Sequence, residues 1–345
     1  MTIKTEVTKL LGIKYPIIAA PMGPFYTTEL TVAVSEAGGL GVLSQIGLLY
    51  KDTVEEMKRN LEYVVEHTDK PFGLNIRTSR LEPHTDTLCH EIPEFIMKNP
   101  KIKEQCVYIL TSAGSAKKLP NSNSFQKLKK SGSPVKHFHV APALWLADKC
   151  VSAGVDGVVV TGNEGGGHQS YERVSTLVLL QQIQQKYPDV PKIACGGFAT
   201  GEGLAAALSF GASAIAMGSR FIASKECEFH ENYKKIIPSA QTQDTVLVTG
   251  FLGPVRLWKN DYSSQLSLIN DKEEKLAIEG AMSSEELLEA ARAYDLVYEG
   301  NINDGAVLLG QSIGLINDIE SVSDIIEKIM KDAVNAIRRT QNQVK

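Results

Sequence analysis

Residues 193–221, IACGGFATGEGLAAALSFGASAIAMGSRF, constrain the fold of this chain more than any other stretch. Two short apolar runs, Ile193–Cys195 and Ala214–Met217, each end in a glycine turn, and an Ala-rich amphipathic segment separates them. This order predicts strand, turn, helix, strand and turn. The turns, Gly196–Gly197 and Gly218–Ser219, would lie side by side and leave their backbone amides open to an anion. Two ordinary βα turns are the alternative, but paired glycine turns favour the phosphate site of a (β/α)8 barrel.

Eight apolar runs alternate with amphipathic segments from residue 16 to about residue 222. Most of the runs are short and continuous, which is typical of parallel strands that are covered on both faces. Each interval is long enough for a crossover helix, and eight such units close into a barrel. The sequence therefore predicts an α/β fold, a (β/α)8 TIM barrel. Its strands are predicted at Pro16–Ala20, Gly41–Ser44, Phe72–Ile76, Val107–Thr111, Val135–Val140, Gly157–Thr161, Ile193–Cys195 and Ala214–Met217.

The strand–helix alternation stops after Phe221. Helical and irregular segments follow, and they predict a smaller, mostly helical second domain that would fold over the barrel mouth. A last amphipathic segment, 321–337, predicts a helix that packs back on the barrel. The expected organisation is a barrel over residues 1–224, a helical domain over 225–310, and a C-terminal segment and helix over 311–345.

Composition excludes several classes of partner. A net charge of −4, with 43% hydrophobic and 22% charged residues, is that of an ordinary globular protein and disfavours binding to nucleic acid or an anionic membrane. The N-terminal segment lacks the apolar core of a signal peptide, and no run is long enough to span a membrane. Five cysteines without CxxC spacing predict reduced thiols in a cytoplasmic protein and disfavour a zinc or other metal site.

The loop predicted after the sixth strand reads TGNEGGGHQ and contains His168. Three consecutive glycines suit neither a helix nor a strand, so the loop is built for close backbone approach to a ligand. A histidine at the catalytic face of a barrel is a candidate general acid or base near neutral pH, although a solvated loop histidine is the alternative. His137 and His139 alternate along the fifth strand, and we expect them to have a core or supporting role.

Two further strand ends carry candidate ligand contacts. Asn75 ends the run PFGLN, where its amide would bond a heterocycle with donors and acceptors, although it is also an ordinary polar strand terminus. Met22 would pack on a ring system, with a core role as the equal alternative. Neither a P-loop nor a GxGxxG motif follows the first strand, which disfavours a Rossmann dinucleotide site.

These motifs resemble the FMN-dependent nitronate monooxygenase (2-nitropropane dioxygenase) family, which includes the flavin-dependent enoyl-acyl-carrier-protein reductase II. The matching segments are AAPM at 19–22, AVSEAGGLG at 33–41, KPFGLN at 70–75, GNEGGGH at 162–168, CGGFATGEGLAAAL at 195–208, MGSRF at 217–221 and GQSIGLI at 310–316. The resemblance implies a (β/α)8 barrel with a smaller domain and one noncovalent FMN. By resemblance the FMN contacts are Ala20, Pro21, Met22, Asn75, Gly166, Gly167, Gly196, Gly197, Gly218 and Ser219, and His168 is catalytic.

The resemblance implies an FMN oxidoreductase, and nitronate monooxygenase is the leading activity. Such an enzyme would oxidise an alkyl nitronate with O₂ to a carbonyl compound and nitrite. An NAD(P)H-dependent enoyl thioester reductase is the alternative, and a barrel that merely binds flavin is a third. Expected partners are a small-molecule substrate and, from the family, a second subunit in a homodimer. The chain departs from the family's EAGGH motif with Glu164–His168, EGGGH, and carries bulky Phe25 and Tyr26 where the substrate would lie.

Overall fold

The computed structural model describes residues 2–47, 52–79, 81–250 and 252–344. Within these ranges eight parallel strands form one sheet, and a second sheet of three antiparallel strands lies beside it. The larger sheet has the order β1-β9-β8-β6-β5-β4-β3-β2. The strands are β1 (Ile17–Ala19), β2 (Gly41–Leu43), β3 (Phe72–Arg77), β4 (Cys106–Ser112), β5 (Lys136–Ala141), β6 (Gly157–Thr161), β7 (Gly167–His168), β8 (Lys192–Cys195), β9 (Ala214–Met217), β10 (Thr245–Gly250) and β11 (Gly253–Trp258).

The two ends of the larger sheet meet at Leu40, directly before β2. The Ala19 N–H donates to Leu40 O at 2.9 Å, and the Leu40 N–H donates to Ile17 O at 2.9 Å. On its other side β1 pairs with β9, with Ile17 opposite Ile215. The sheet is therefore a nearly closed barrel, and the predicted (β/α)8 fold and its eight strands are confirmed.

Helices cover the outside of the barrel, and several of them begin at residues whose side chains cap the first turn. For example, the hydroxyl of Ser175 accepts from the Val178 N–H, and the hydroxyl of Ser321 accepts from the Asp324 N–H. Within the described ranges, no helix combines the length and the apolar composition that a membrane span requires. The helices are α1 (Glu6–Leu11), α2 (Thr28–Glu36), α3 (Thr53–His67), α4 (Thr85–Lys98), α5 (Pro100–Gln105), α6 (Asn123–Lys130), α7 (Leu144–Ser152), α8 (Thr176–Lys186), α9 (Gly201–Ser209), α10 (Ser219–Ile222), α11 (Glu231–Lys235), α12 (Asp261–Ser264), α13 (Lys272–Ala281), α14 (Ser284–Tyr298) and α15 (Val322–Gln341).

Alternation along β3 shows how the barrel separates its core from its site. Leu74 and Ile76 are fully buried in the apolar layer between the strands and the outer helices. Asn75 and Arg77, one residue out of phase, line the cavity at the mouth of the barrel. Successive residues of a strand point to opposite faces, so the same strand supplies both layers.

The segment after the barrel contains a β-hairpin that the sequence analysis did not predict. Helices α11–α14 occur there as expected, but β10 and β11 pair along their whole length, from Thr245 opposite Trp258 to Gly250 opposite Gly253. Both strands are rich in β-branched and apolar residues, and the glycine that begins β11, Gly253, adopts a φ of +105°. β11 also pairs with β7, so the hairpin reaches the barrel rim. The domain limits given above remain predictions.

The apolar layer under α8 makes a testable contribution to stability. Leu179→Ala removes a side chain that is 0% exposed, and we expect it to lower the free energy of unfolding by about 2–5 kcal/mol. Leu177→Ala on the same helix is the matched control, because Leu177 is 49% exposed, and its effect should stay within about 0.5 kcal/mol. Denaturant unfolding of both variants measures the difference, and equal losses would contradict this packing.

Candidate functional site

A cavity of about 720 Å³ opens at the carboxyl ends of the barrel strands. Because all eight strands run parallel, residues that are far apart in sequence converge on this one rim. Every site residue predicted from the sequence lines the same cavity. These residues are Ala20, Pro21, Met22, Asn75, Gly166, Gly167, His168, Gly196, Gly197, Gly218 and Ser219.

The two glycine turns lie next to each other because β8 and β9 pair in parallel, with Cys195 opposite Ala216. Gly196 and Gly197 adopt φ values of +86° and +90°, a region that L side chains disfavour. A Cβ on Gly196 would also lie 2.9 Å from Gly165 N. The turns are therefore compact, and their amides border the cavity without side chains in the way.

Hydrogen bonds from α8 hold the glycine-rich loop after β6. Glu164 Oε2 accepts from the Thr176 N–H at 2.9 Å and from the Thr176 hydroxyl at 3.0 Å, and that hydroxyl accepts from the Gly162 N–H at 3.0 Å. On the other side, Arg256 Nε donates to Asn163 O at 2.7 Å. A loop rich in glycine has high conformational entropy when free, so these bonds fix a backbone conformation that its own sequence does not determine.

Segment 309–311 crosses between this loop and the second turn. The Gly310 N–H donates to Ser219 Oγ at 3.1 Å, and the Gln311 N–H donates to Glu164 O at 2.8 Å. A Cβ on Gly166 would lie 2.7 Å from Gly310 N, so glycine permits this close approach. The late GQSIGLI motif is thus a structural link between the two halves of the site.

His168 lies in β7, where its backbone pairs with Val255 of the hairpin. The Gln169 N–H donates to Pro254 O at 2.8 Å and extends this pairing. The side chain is half-buried, and its Nε2 atom is inaccessible to solvent and has no hydrogen-bond partner among the described residues. A buried nitrogen without a partner at a cavity wall fits a bound ligand that supplies one.

Burial and, to a smaller extent, the positive charge of Arg77 together lower the pKa of His168 to about 4. The ring is therefore neutral near pH 7. A neutral imidazole has one donor and one acceptor nitrogen, so it can accept a proton or share a hydrogen bond. This result narrows the sequence-based expectation of a general acid or base: at pH 7 the side chain is in the form of a base.

Arg77 is a site residue that sequence reasoning missed. Its guanidinium donates to Gln45 O at 2.5 Å, to Gly47 O, and to Glu82 Oε2 at 2.9 Å. The Arg77 N–H also donates to Gln45 Oε1 at 2.7 Å. The signal was present, because Arg77 follows Asn75 by two residues on the same strand and therefore shares its face. It ties the end of β2 to the end of β3 and brings a positive charge to the cavity.

Asn75 and Met22 are held by the neighbouring strand ends. Asn75 Nδ2 donates to Leu110 O at 3.0 Å and to Ser112 Oγ at 3.1 Å, which leaves the amide oxygen as its remaining polar atom. The Met22 N–H donates to Ser44 Oγ at 2.7 Å. Both side chains are buried in the cavity wall.

The two bulky residues after the first strand have different surroundings. Phe25 lines the cavity and packs between Phe229, at a ring-centroid distance of 4.9 Å, and Tyr298, at 5.8 Å. The Tyr26 hydroxyl instead donates to Glu56 Oε2 at 3.1 Å, on α3. Phe25 therefore narrows the cavity, whereas Tyr26 fastens the loop to the outer helices.

His137 and His139 have the supporting role that was expected. Both rings form hydrogen bonds with Thr111 Oγ1, His137 through Nε2 at 2.7 Å and His139 through Nδ1 at 2.6 Å. Burial lowers their pKa values to about 3 and about 4, respectively. Among the described residues, no group of histidine, cysteine and acidic side chains is arranged to hold a metal ion.

Comparison with known proteins places these features in a family. A family model described as nitronate monooxygenase matches residues 4–332. The chain is 31% identical to FabK from Thermotoga maritima over 99% of this chain and 100% of that one, with a TM-score of 0.81. It is 27% identical to a probable nitronate monooxygenase of Staphylococcus saprophyticus, covering 98% of this chain and 100% of the relative.

A further relative carries a different name. The chain is 29% identical to (3aS,4S,5R,7aS)-5-hydroxy-7a-methyl-1-oxo-octahydro-1H-indene-4-carboxyl-CoA dehydrogenase of Rhodococcus jostii, covering 97% of both chains. A nitroalkane oxidase of Streptomyces ansochromogenes has a TM-score of 0.73 at 21% identity over 97% of this chain and 99% of that one, and this likeness shows the fold alone. The named relatives thus span more than one substrate.

The neutrality of His168 can be measured by NMR of protein labelled with ¹³C at histidine. We expect its ring signal, identified by its loss in His168→Asn, to titrate near pH 4 rather than near 6.5. Arg77→Met should raise this pKa, because it removes the nearby positive charge. The His139 signal is the internal control, because its pKa should not change in this variant. A wild-type titration near pH 6.5 would show that burial does not control this ring.

Proposed function

The chain belongs to the nitronate monooxygenase family, and from that premise we propose that it is an FMN-dependent enzyme that oxidises alkyl nitronates. Family membership makes it an oxidoreductase. The observation that carries the proposal is the convergence of the glycine turns and the unpartnered His168 Nε2 on one cavity. A cytoplasmic location, which the cysteine pattern predicts, and a homodimeric state, which the resemblance implies, are part of this proposal.

The residues present fit an FMN molecule. Gly196, Gly197 and Gly218 leave backbone amides uncovered beside Ser219, and such amides bind phosphate. A Cβ on Gly218 would have Met22 as its nearest neighbour, at 3.8 Å, so this turn is not crowded by other protein atoms. We propose that these four residues hold the phosphate.

The remaining contacts would hold the flavin ring and chain. The amide oxygen of Asn75 would accept from a ring N–H, because both contacts of its Nδ2 are already made within the protein. Ala20, Pro21 and Met22 would pack against the ring system. Gly166 and Gly167 would let it approach the loop closely.

His168 would act on the substrate rather than on the cofactor. Bound FMN would supply the redox chemistry of nitronate oxidation, for which O₂ is the co-substrate and a carbonyl compound and nitrite are the products. The neutral His168 would share a hydrogen bond with a nitronate oxygen or, with a neutral nitroalkane, accept the α-proton at its free ring nitrogen. Formation of an anion beside the ring raises its pKa, which favours that transfer. Arg77 would stabilise the same negative charge.

A second candidate is the flavin-dependent reduction of an enoyl thioester with NAD(P)H as reductant. The cavity favours it, because the lining continues outward from His168 to Trp145 and Lys272, further than a small nitronate requires. The name of the Rhodococcus relative, a carboxyl-CoA dehydrogenase, also fits a thioester substrate. In this reaction the His168 ring would hydrogen-bond the thioester carbonyl and stabilise the negative charge that develops on it.

Purified protein should be yellow and should release FMN on denaturation. With propionate-3-nitronate or an alkyl nitronate in air, we expect nitrite to form. Anaerobic stopped-flow spectroscopy separates the two candidates: fast reduction of the flavin by the nitronate and slow reduction by NADH support the nitronate monooxygenase. Rapid bleaching by NADH with no nitrite from either nitronate would overturn it in favour of the thioester reductase.

His168→Asn tests the role of the ring. Asparagine retains some hydrogen bonding but cannot accept the proton, so turnover of a neutral nitroalkane should fall by about 10²–10⁴-fold. Turnover of a preformed nitronate should fall much less, because no proton is removed. FMN content is the control and should be unchanged, since the glycine turns are intact. Wild-type rates on the neutral substrate would show that His168 is only a loop residue.

A further inference from the structure

We propose that Trp145, Lys149 and Lys272 form a subsite at the cavity mouth for a phosphorylated adenine nucleotide. Trp145 and Lys272 line the same cavity as His168, and Lys149 lies one helical turn after Trp145 on α7. Nitronate oxidation needs no adenine nucleotide, so this subsite does not depend on the leading activity. It deepens the second candidate, because it would hold the nucleotide of the thioester or of the nicotinamide cofactor. The nucleotide would be the handle of a coenzyme A thioester or of a nicotinamide cofactor, which share this chemistry.

The cluster consists of one aromatic ring and two cations from different elements. Lys149 Nζ lies 4.5 Å from the Trp145 ring centroid, and Lys272 Nζ lies 5.4 Å from it. Lys149 reaches the ring by i,i+4 spacing, whereas Lys272 comes from the start of α13, more than a hundred residues later. Trp145 remains 39% exposed, which is an unusual position for the largest apolar side chain.

Glu172 fixes the orientation of the ring. The Trp145 indole Nε1 donates to Glu172 Oε1 at 2.5 Å, and the Ser170 hydroxyl donates to Glu172 Oε2. Ser170 and Glu172 follow His168 directly along the chain, so the ring is tied to the segment that contains the catalytic candidate. Both carboxylate oxygens accept hydrogen bonds, which reduces their repulsion of a bound anion.

An adenine nucleotide matches the two kinds of group. Adenine stacks on an indole face, and lysine ammonium groups on flexible stems bind phosphate as point charges. On binding, a lysine head would leave the ring for a phosphate while the base takes its place. Binding would thus replace one cation–π contact with a stacked base and a charge-assisted hydrogen bond. These two interactions together are stronger than the cation–π contact that is lost.

The extent of the cavity lining supports a long ligand. One continuous lining joins the glycine turns, His168 and the mouth. A thioester or nicotinamide group at His168 would therefore leave its nucleotide at the rim, where Trp145 lies. No small nitronate would reach both places.

Isothermal titration calorimetry on the flavin-loaded protein tests the subsite without turnover. The probes are coenzyme A, NADP⁺ and inorganic pyrophosphate, and the variants are Trp145→Ala, Lys149→Met and Lys272→Met. We expect each variant to weaken binding of the adenine nucleotide by about tenfold or more. Lys14→Met is the matched control, because Lys14 also stacks on a ring, that of Tyr15 at 4.6 Å, and neither residue lines the cavity.

A second readout reports on the ring itself. The chain has two tryptophans, so Trp258→Phe leaves Trp145 as the sole indole, and adenosine 3′,5′-bisphosphate should quench its fluorescence. Tighter binding of coenzyme A than of NADP⁺ would identify a thioester handle, and the reverse would identify a nicotinamide cofactor. Pyrophosphate binding as tight as either nucleotide, no nucleotide binding, or unchanged affinity in the three variants would overturn the proposal.

Discussion

Closure of the parallel sheet is the constraint on which the site depends. The pairing of Leu40 with both Ile17 and Ala19 joins β1 to the start of β2, the two ends of the sheet. Because all the strands of this barrel are parallel, they end on the same rim. Parallel pairing of β8 and β9 then sets the two glycine turns side by side, and β3 presents Asn75 and Arg77 to the same space. The hydrogen bonds of the sheet therefore fix the backbone position of each of these residues.

The barrel alone does not position His168. The glycine-rich loop before it is bracketed by Thr176 on one side and by the hairpin on the other, where β7 pairs with β11 and Arg256 bonds Asn163 O. The glycines permit close approach of a ligand, and the contacts with Thr176 and the hairpin fix the loop conformation, which glycine alone would leave variable. The segment after the barrel is thus part of the site: it holds the catalytic candidate by its backbone and leaves the ring free.

The sequence predicted the eight strands well because each is a short, continuous apolar run between helical patterns, and the glycine turns because they interrupt such runs. The hairpin was not predicted, because residues 245–258 lie in a region whose other segments have helical patterns. Arg77 was not predicted either, although it follows Asn75 by two residues and therefore lies on the same face of β3. The lowered pKa of His168 depends on burial and on Arg77, which come together only through the fold, so no local pattern could have indicated it.

The charge balance of the site explains why one scaffold suits both candidate reactions. His168 is neutral at pH 7, whereas Arg77 stays positive and is paired with Glu82, so the cavity holds a fixed cation and an uncharged hydrogen-bonding ring. A nitronate carries its negative charge on oxygen, and a reduced enoyl thioester develops one on its carbonyl oxygen. In the proposed site, both would present an oxyanion to the same two groups. Selection between them then depends on the space beyond His168, where Phe25 narrows one part of the cavity and the mouth at Trp145 opens another.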